Sequence, residues 1–214
     1  MVEKSNSHEN ILLSTAYWPS LEYFYYLLKA KNVQIEKYEH YEKQSYRNRC
    51  RILSANGPLE LIIPVEKKCT SIADVRISYK EKWQQNHWRA IESAYRNTAY
   101  FEFFEEEIRN FYTEPEEFLL EYNLKQLQTI FDILRIKKEL HFTNEYKKEY
   151  SGITDLRERI HPKHSGFSSE NVELILNRRY YQVFEEKFGF HKNLSILDLI
   201  FHQGLRTIEY LEDH

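Results

Sequence analysis

The sequence predicts an α/β fold with a Rossmann-like βαβ start and a central β-hairpin, followed by a largely α-helical C-terminal half. Three observations indicate this fold. Strand-like, helix-like and strand-like stretches follow one another over residues 11–38. An Asn-Gly pair, the signal of a tight turn, separates two β-compatible segments within residues 44–65. After residue 113, apolar residues recur at steps of three and four, which is the spacing of an amphipathic helix.

The first unit begins with residues 11–17, which are apolar and suited to a strand. Pro19-Ser20 then favours a helix start, because proline has no backbone N–H to lose in the first turn. Apolar residues at helical spacing predict a helix from 21 to about 31, and residues 33–38 return to the alternation of a strand. Two strands joined through a helix run parallel, so this unit predicts a parallel sheet.

Ligands of parallel α/β sheets bind at the carboxyl ends of the strands. In this sequence those ends carry Ser14 and Tyr17, followed by the loop 40–44 after the second strand. We therefore predict that Ser14 and Tyr17 contribute to a ligand site.

The hairpin is centred on Asn56-Gly57, since glycine accepts the positive φ that tight turns require. Residues 59–65 are apolar on one face and partly apolar on the other, so we expect a mostly buried second strand. On the incoming strand, period-two alternation places Arg47, Arg49 and Arg51 on one face.

Three arginines on one strand face suit an acidic ligand, because guanidinium groups bind phosphate and carboxylate in a bidentate manner. We predict that Arg47, Arg49 and Arg51 bind such a ligand and that Asn48 orients it. The alternative is a solvated face with surface ion pairs to nearby glutamates.

The middle of the chain predicts a short strand over 72–77 and a capping box at Ser78 and Glu81. The helix that follows, to about residue 96, places His87 on its apolar stripe with Tyr95 flanking that stripe. We interpret His87 as an acid/base candidate and Tyr95 as a hydrogen-bonding or stacking group of a catalytic site. The alternative for His87 is a histidine at the edge of the core that donates to a carbonyl.

The second half is mainly helical. It predicts helices over 100–111, from 115 to about 138, over 172–188 and over 196–202, and one further strand at 140–142. The apolar stripe of the helix predicted from 115 to about 138 is suited to packing within the chain or to pairing two copies as a homodimer. Asp198 is the one acid within an apolar segment, and we expect it to pair with an arginine, hold a histidine or face solvent.

Composition limits the class of protein. The chain has 214 residues, with 30 basic and 33 acidic side chains, so bulk charge disfavours nucleic-acid binding. No apolar run is long enough to span a membrane and no hydrophobic signal core opens the chain, so we expect a cytoplasmic protein. We divide it into a flexible tail (1–10), an α/β core (11–112) and a helical region packed on that core (113–214) within one globular unit.

Known cofactor signatures are absent from the sequence: it has no Walker motif, no GxGxxG and no GxSxG, and we predict no cofactor. Cys50 and Cys69 lack metal-binding spacing. His161 and His164 lie three residues apart, but no cysteine is close to them in sequence, so we predict no metal site.

Several short motifs together resemble the WbqC-like protein family. They are Pro19 with Tyr23-Phe24, Asn48-Arg49 with Arg51-Ile52, Pro64-Val65, Trp83 with His87, Tyr95 with Tyr100-Phe101, and residues 193–201 with Gly204. The chain departs from the family pattern at Ser14-Thr15, where Gln-Pro is frequent, and at Cys50, where Asn is frequent. The resemblance implies a bacterial accessory enzyme of surface-polysaccharide biosynthesis.

These observations lead to three functional hypotheses. The first is a transferase acting on an activated sugar or another small phosphorylated or carboxylated ligand, bound by the arginines. The second is a non-catalytic subunit that binds a partner enzyme through its helical half. The third, an RNA- or nucleotide-binding module, is disfavoured by the net charge of −3.

Overall fold

The computed structural model describes residues 9–66, 71–163 and 169–212, so most of the predicted tail lies outside the described residues. At its centre is a parallel sheet in the strand order β5-β2-β1-β6. Its strands are β1 (Asn10–Leu13), β2 (Asn32–Ile35), β5 (Leu140–Phe142) and β6 (Thr154–Asp155). The sheet therefore draws strands from both halves of the chain.

The predicted βαβ unit is confirmed, with helix α1 (Leu21–Lys29) joining the parallel strands β1 and β2. Ser20 begins the helix, because its hydroxyl accepts a hydrogen bond from the backbone N–H of Tyr23. At the other end, the ammonium of Lys138 donates to the carbonyls of Leu27 and Leu28, at 2.7 and 3.0 Å. Both ends of α1 are thus satisfied by polar groups.

The central hairpin is also confirmed, as the antiparallel strands β3 (Arg49–Ser54) and β4 (Gly57–Ile62). Gly57 has a φ of +105°, which explains why the turn needs glycine. The expectation of a mostly buried second strand is wrong, since Leu59 is 37% and Ile62 is 42% exposed. Within the described residues β3 and β4 form a two-stranded sheet, so β4 pairs with no strand other than β3.

Most of the remaining chain is helical. The helices are α2 (Trp83–Tyr95), α3 (Phe101–Arg109), α4 (Leu119–Leu134), α5 (Glu170–Asn177), α6 (Glu185–Phe188), α7 (Ile196–Gln203) and α8 (Thr207–Leu211). The apolar stripe of α4 is largely buried within the chain's own core. None of the helices in the described part of the chain is long and apolar enough to cross a membrane.

Two helix starts lie later than predicted. Helix α2 begins at Trp83 without a side-chain cap, and α4 begins at Leu119 instead of near residue 115. The residues before them pair with each other: Ile77 donates its N–H to the Glu117 carbonyl at 3.0 Å, and Leu119 donates to Val75 at 2.9 Å. This extended pairing competes with the first turns of both helices.

Two further predictions of secondary structure are wrong. Residues 72–77 contain a 3-10 turn (Ile72–Asp74) instead of a strand. The single helix expected over 172–188 is divided between α5 and α6, because the intervening segment leads Tyr180 and Gln182 to the buried carboxylate of Asp198. Strand β6 was not predicted, since a two-residue strand has no recognisable period.

The N-terminus of α7 joins the hairpin to the βαβ unit. Ser195 donates its backbone N–H to the Arg51 carbonyl at 2.8 Å and its hydroxyl to the Trp18 carbonyl at 2.9 Å. The side chain of Asn193 accepts a hydrogen bond from the backbone N–H of Glu22 at 2.9 Å. This segment therefore fixes β3 against the start of α1.

Candidate functional site

The three hairpin arginines do not share one face, contrary to the prediction. Arg49 and Arg51 both bind Glu60 on β4, at 2.9 and 3.4 Å. Arg47 precedes β3, is only 3% exposed and points away to a different carboxylate, that of Glu39. The alternation of a strand begins only at Arg49, so it does not govern the direction of Arg47.

The Arg47 side chain is bound within the fold. Its Nε and one terminal nitrogen each donate to a carboxylate oxygen of Glu39 at 2.7 Å, and the other terminal nitrogen donates to Glu42 at 3.4 Å. Burial raises the pKa of Glu39, and the hydrogen bonds from Arg47 and from Ser14, at 3.1 Å, oppose this shift. The predicted binding residues Ser14 and Arg47 are thus joined through one buried carboxylate.

A second buried ion pair lies at the same edge of the sheet. Arg157, which follows β6, donates to Glu36 at 3.2 Å and to Asp155 at 2.5 Å. Glu36 immediately follows β2 and is fully buried. The cavity beside these groups, lined by Ser14, Arg47 and Arg157 among others, holds only about 10 Å³. The carboxyl end of the sheet is therefore closed by the chain's own charges.

A larger cleft lies beside the hairpin. Its volume is about 390 Å³, which is within the range of small-molecule sites. We call it the 41–66 cleft after the residues that line it: Tyr41, Lys43, Gln44, Asn48, Arg49, Ile62, Ile63, Pro64, Val65 and Glu66. It combines apolar walls with two cations and one acid.

The loop that carries Lys43 and Gln44 is anchored by hydrogen bonds to other parts of the fold. Arg47 bridges Glu39 and Glu42, and Ser45 donates its hydroxyl to the Glu42 carbonyl at 2.7 Å. Gln44 has a φ of +61°, a left-handed conformation that costs free energy for a non-glycine residue and is held here by the surrounding contacts. The anchored loop indicates that this cleft is preformed.

Two adjacent cleft residues each have a buried polar atom without a hydrogen-bond partner. Asn48 is 5% exposed and donates from Nδ2 to the Ile63 carbonyl at 2.8 Å, which leaves its Oδ1 unpartnered. The Nε of Arg49 is likewise unpartnered, although its terminal nitrogen binds Glu60. Unsatisfied buried polar groups are costly, so they point to a ligand or water that completes them.

His87 and Tyr17 belong to a chain of hydrogen bonds behind the cleft. The indole of Trp18 donates to the Tyr112 hydroxyl at 2.8 Å, which lies 2.7 Å from the Tyr17 hydroxyl. Tyr17 in turn lies 3.0 Å from Nδ1 of His87. The chain ends at Ile62 of the cleft wall, because His87 also hydrogen-bonds the Ile62 backbone.

Burial holds His87 in the neutral form. Burial lowers the pKa of His87 to about 4, and the hydrogen bond to the Ile62 backbone opposes that shift. A neutral ring that donates to the Ile62 carbonyl accepts at Nδ1 from Tyr17, which leaves Tyr17 to accept from Tyr112. Every polar hydrogen in this series of hydrogen bonds then has an acceptor.

Tyr95 lies in a separate buried network. Its hydroxyl donates to Asp198 at 3.0 Å, and Tyr180 donates to the other carboxylate oxygen. Gln182 is 3.4 Å from the same oxygen, and Nδ1 of His202 is 3.8 Å away. Burial raises the pKa of Asp198, while His202 and these hydrogen bonds oppose the rise. Of the two partners that the sequence suggested for Asp198, the described residues supply a histidine and no arginine.

The other sequence candidates are the histidine loop and Cys50. The described residues contain no group of three or more His, Cys, Asp or Glu side chains arranged to hold a metal ion. Of the loop predicted at 161–166, residues 164–166 lie outside the described part. Cys50 is buried, and burial raises the pKa of its thiol.

Sequence reasoning found Asn48 and Arg49 but missed Lys43 and the wall formed by residues 62–66. It also missed Glu36, Glu39 and Arg157. Their partners lie far apart in sequence: Arg157 and Glu36 are separated by 121 positions. A run of charged residues across the loop 36–43 was the available signal.

The fold and the cleft define the chain as an α/β protein with a preformed polar site between a β-hairpin and the loop that precedes it. A family model described as the WbqC-like protein family matches residues 15–162, and the chain belongs to this family. The C-terminal motif at 193–201 lies beyond the matched residues.

Comparison with curated proteins identifies "Uncharacterized protein Rv1507c" of Mycobacterium tuberculosis as a distant relative. It is 26% identical over 193 residues, which cover 80% of this chain and 83% of the relative. No solved structure matches the chain significantly.

Proposed function

We propose that this protein is a transferase or accessory enzyme of bacterial surface-polysaccharide biosynthesis that binds an activated sugar or another small phosphorylated metabolite in the 41–66 cleft. The observation that carries the proposal is the cleft itself, about 390 Å³ in volume and lined by Asn48, Arg49 and Lys43. Family membership supplies the biosynthetic context, since the WbqC-like family is named after a polysaccharide-biosynthesis locus.

The charges of the cleft favour an anionic ligand. Lys43 and Arg49 line it together with a single acid, Glu66. Within the described residues Lys43 has no ion-pair partner, whereas Arg49 shares Glu60 with Arg51. A phosphate group would therefore meet one uncompensated cation and a guanidinium that is already oriented.

We assign different roles to the predicted binding residues. Asn48 and Arg49 contact the ligand, while Arg47 and Ser14 hold the loop through Glu39. Arg51 binds Glu60 but does not line the cleft, and Tyr17 supports His87 behind the cleft wall. The assignments of His87 as acid/base and of Tyr95 as a catalytic group stay predictions.

Native mass spectrometry of freshly purified protein tests the proposal. We expect a phosphorylated metabolite to accompany the wild-type chain and to be lost from an Arg49→Ala variant. Arg51→Ala is the matched control, because Arg51 pairs with the same Glu60 but does not line the cleft. A ligand retained by folded Arg49→Ala protein, or carried by neither protein even after incubation with cell extract, contradicts the cleft as the site.

The rival functions give different results in the same preparation. A partner-binding subunit would co-purify with an enzyme and carry no small ligand. An RNA-binding module would shift RNA in a gel assay in a salt-dependent manner. The net charge of −3 counts against the second of these.

A further inference from the structure

A second cleft lies between the segment that follows α5 and helix α8. It holds about 290 Å³ and shares no lining residue with the 41–66 cleft. We call it the 178–210 cleft after the residues that line it: Arg178, Arg179, Tyr180, Gln203, Arg206, Glu209 and Tyr210. Three arginines and one carboxylate surround it, so its lining carries a larger excess of positive charge than that of the 41–66 cleft.

Two tyrosines of this cleft have donated their hydroxyl hydrogens elsewhere. Tyr180 donates to the carboxylate of Asp198, and Tyr210 donates to the backbone carbonyl of Arg178. Their rings pack edge to face, with centroids 5.2 Å apart. The N–H groups that remain for a ligand therefore belong to the arginines and to the amide of Gln203.

Arg178 is held by one side of its guanidinium group. Nη1 donates to the Tyr210 carbonyl at 2.7 Å and to the Glu212 carbonyl at 3.3 Å, and the group lies 5.7 Å from the centroid of the Tyr210 ring. Nε and Nη2 make no hydrogen bond or ion pair within the described residues, and neither belongs to the buried atoms that lack a partner. Both nitrogens therefore keep accessible surface on a side chain that is already positioned.

Arg47 shows what this edge of a guanidinium group binds. Its Nε and Nη2 each donate to a carboxylate oxygen of Glu39 at 2.7 Å. The same two nitrogens are unused in Arg178. They present two parallel N–H groups, a geometry that matches two oxygens of one phosphate or carboxylate.

The remaining charges of the cleft favour a phosphate over a carboxylate. Arg179 binds Glu185, and Arg206 lies 3.6 Å from Glu209, in ion pairs that are weak because both arginines are exposed. Within the described residues no carboxylate pairs with Arg178. A phosphate ester, with a charge of about −1.5 to −2 at pH 7, compensates Arg178 and attracts the exposed arginines as well.

We propose that the 178–210 cleft binds the phosphate group of a small anion, free or esterified, with two phosphate oxygens accepting from Nε and Nη2 of Arg178. Arg206 adds positive charge at the wall of the cleft. This site is distinct from the 41–66 cleft and does not depend on the proposed function.

NMR titration of ¹⁵N-labelled protein tests the inference, with inorganic phosphate and glycerol 3-phosphate as probes and acetate as the reference. Sodium chloride keeps the ionic strength constant, because salt screens exposed charges. We expect saturable shifts in the signals of Arg178 and Gln203, with a Kd for at least one phosphate probe at least about tenfold below that for acetate. The more tightly bound probe shows whether the ligand is free phosphate or an ester.

Three variants connect the binding to the proposed contact. Arg178→Lys keeps the charge but removes the paired N–H edge, so phosphate should bind at least about tenfold more weakly. Glu209→Gln removes the acid that lines the cleft and should tighten phosphate binding roughly two- to fivefold. Glu212→Gln is the matched control, since it changes the net charge equally but does not line the cleft, and it should leave the Kd unchanged. A gain in affinity cannot result from loss of structure.

The outcomes separate this inference from the proposed function. If phosphate shifts only signals of the 41–66 cleft, the inference fails and the proposed function stands. If acetate binds as tightly as both phosphate probes, or if Glu209→Gln and Glu212→Gln bind phosphate alike, the phosphate contact is refuted. Arg49→Ala should leave the titration at Arg178 unchanged, and loss of those shifts in folded Arg49→Ala protein would overturn the claim of a distinct site.

Discussion

The buried pair between Arg47 and Glu39 gives the most direct test of how this fold is held together. Arg47 is 3% and Glu39 4% exposed, and two hydrogen bonds of 2.7 Å join them. Arg47→Met removes both bonds and leaves the buried carboxylate of Glu39 with its hydrogen bond from Ser14. Breaking a buried ion pair on one side costs about 3–5 kcal/mol.

We expect that loss in the free energy of unfolding, and a melting temperature lower by roughly 6–20 °C for a chain of this size. Urea unfolding followed by circular dichroism measures the first quantity, and calorimetry measures the second. Arg51→Met is the control. Its ion pair with Glu60 is exposed, so it should cost less than about 1 kcal/mol.

The double variant Arg47→Met with Glu39→Gln separates lost charge pairing from lost packing. With neither charge of this pair remaining, we expect stability within about 2 kcal/mol of wild type. A double variant that is as unstable as Arg47→Met alone would refute the reasoning, because uncompensated charge would then not be the cause of the loss.

The pH dependence gives a second check on the same pair. Burial raises the folded-state pKa of Glu39, so protonation favours the folded state, and stability is lost as pH rises through that pKa. Removing Arg47 raises the pKa further. The deficit of Arg47→Met should therefore be largest at alkaline pH, where Glu39 is ionised, and should shrink as the pH falls through the raised pKa of Glu39. A deficit that is constant with pH would count against an ionised Glu39.

Three further predictions concern other parts of the molecule. Burial lowers the folded-state pKa of His87 to about 4, so its contribution to stability is full above pH 6.5 and is lost as pH falls toward 4. NMR titration should find the ring neutral at pH 6, and a measured pKa near 6.5 would contradict its burial. Tyr180→Phe removes a donor from Asp198 and should cost about 1.5–3 kcal/mol in urea unfolding, whereas no measurable loss would mean that the carboxylate is satisfied without it. Gly204→Ala should destabilise the protein by at least about 1 kcal/mol more than Gly152→Ala. Both glycines have positive φ, but only at Gly204 would the added Cβ lie 2.6 Å from the ring of Tyr100, so equal melting temperatures of the two variants would refute this.

The sequence predicted best those features that depend on neighbouring residues. Ser20 and Ser195 begin their helices by accepting backbone N–H groups two or three residues ahead, an interaction that is complete within one helical turn. The Asn-Gly signal located the hairpin, since the positive φ of Gly57 is a local requirement. The βαβ order followed from hydrophobic periodicity, which is likewise a pattern of neighbouring residues.

The candidate site was predicted only in part. Asn48 and Arg49 were identified because a short polar motif stood beside an apolar strand. Lys43 was missed, since a lysine in a polar loop has no pattern that separates a cleft residue from a solvated one. The carboxyl end of the sheet, where a ligand was expected, is closed by ion pairs whose members are distant in sequence.

The sequence by itself determined the fold class, the caps of α1 and α7 and the hairpin, because hydrogen bonds and apolar contacts between near neighbours specify them. The tertiary structure decided the direction of Arg47, the partners of Asp198 and the location of the open cleft. Those depend on which distant carboxylates and tyrosines the packed core brings within hydrogen-bond distance. A buried charge is stabilised by partners that only the tertiary structure brings close to it, and no periodic pattern in the sequence identifies those partners.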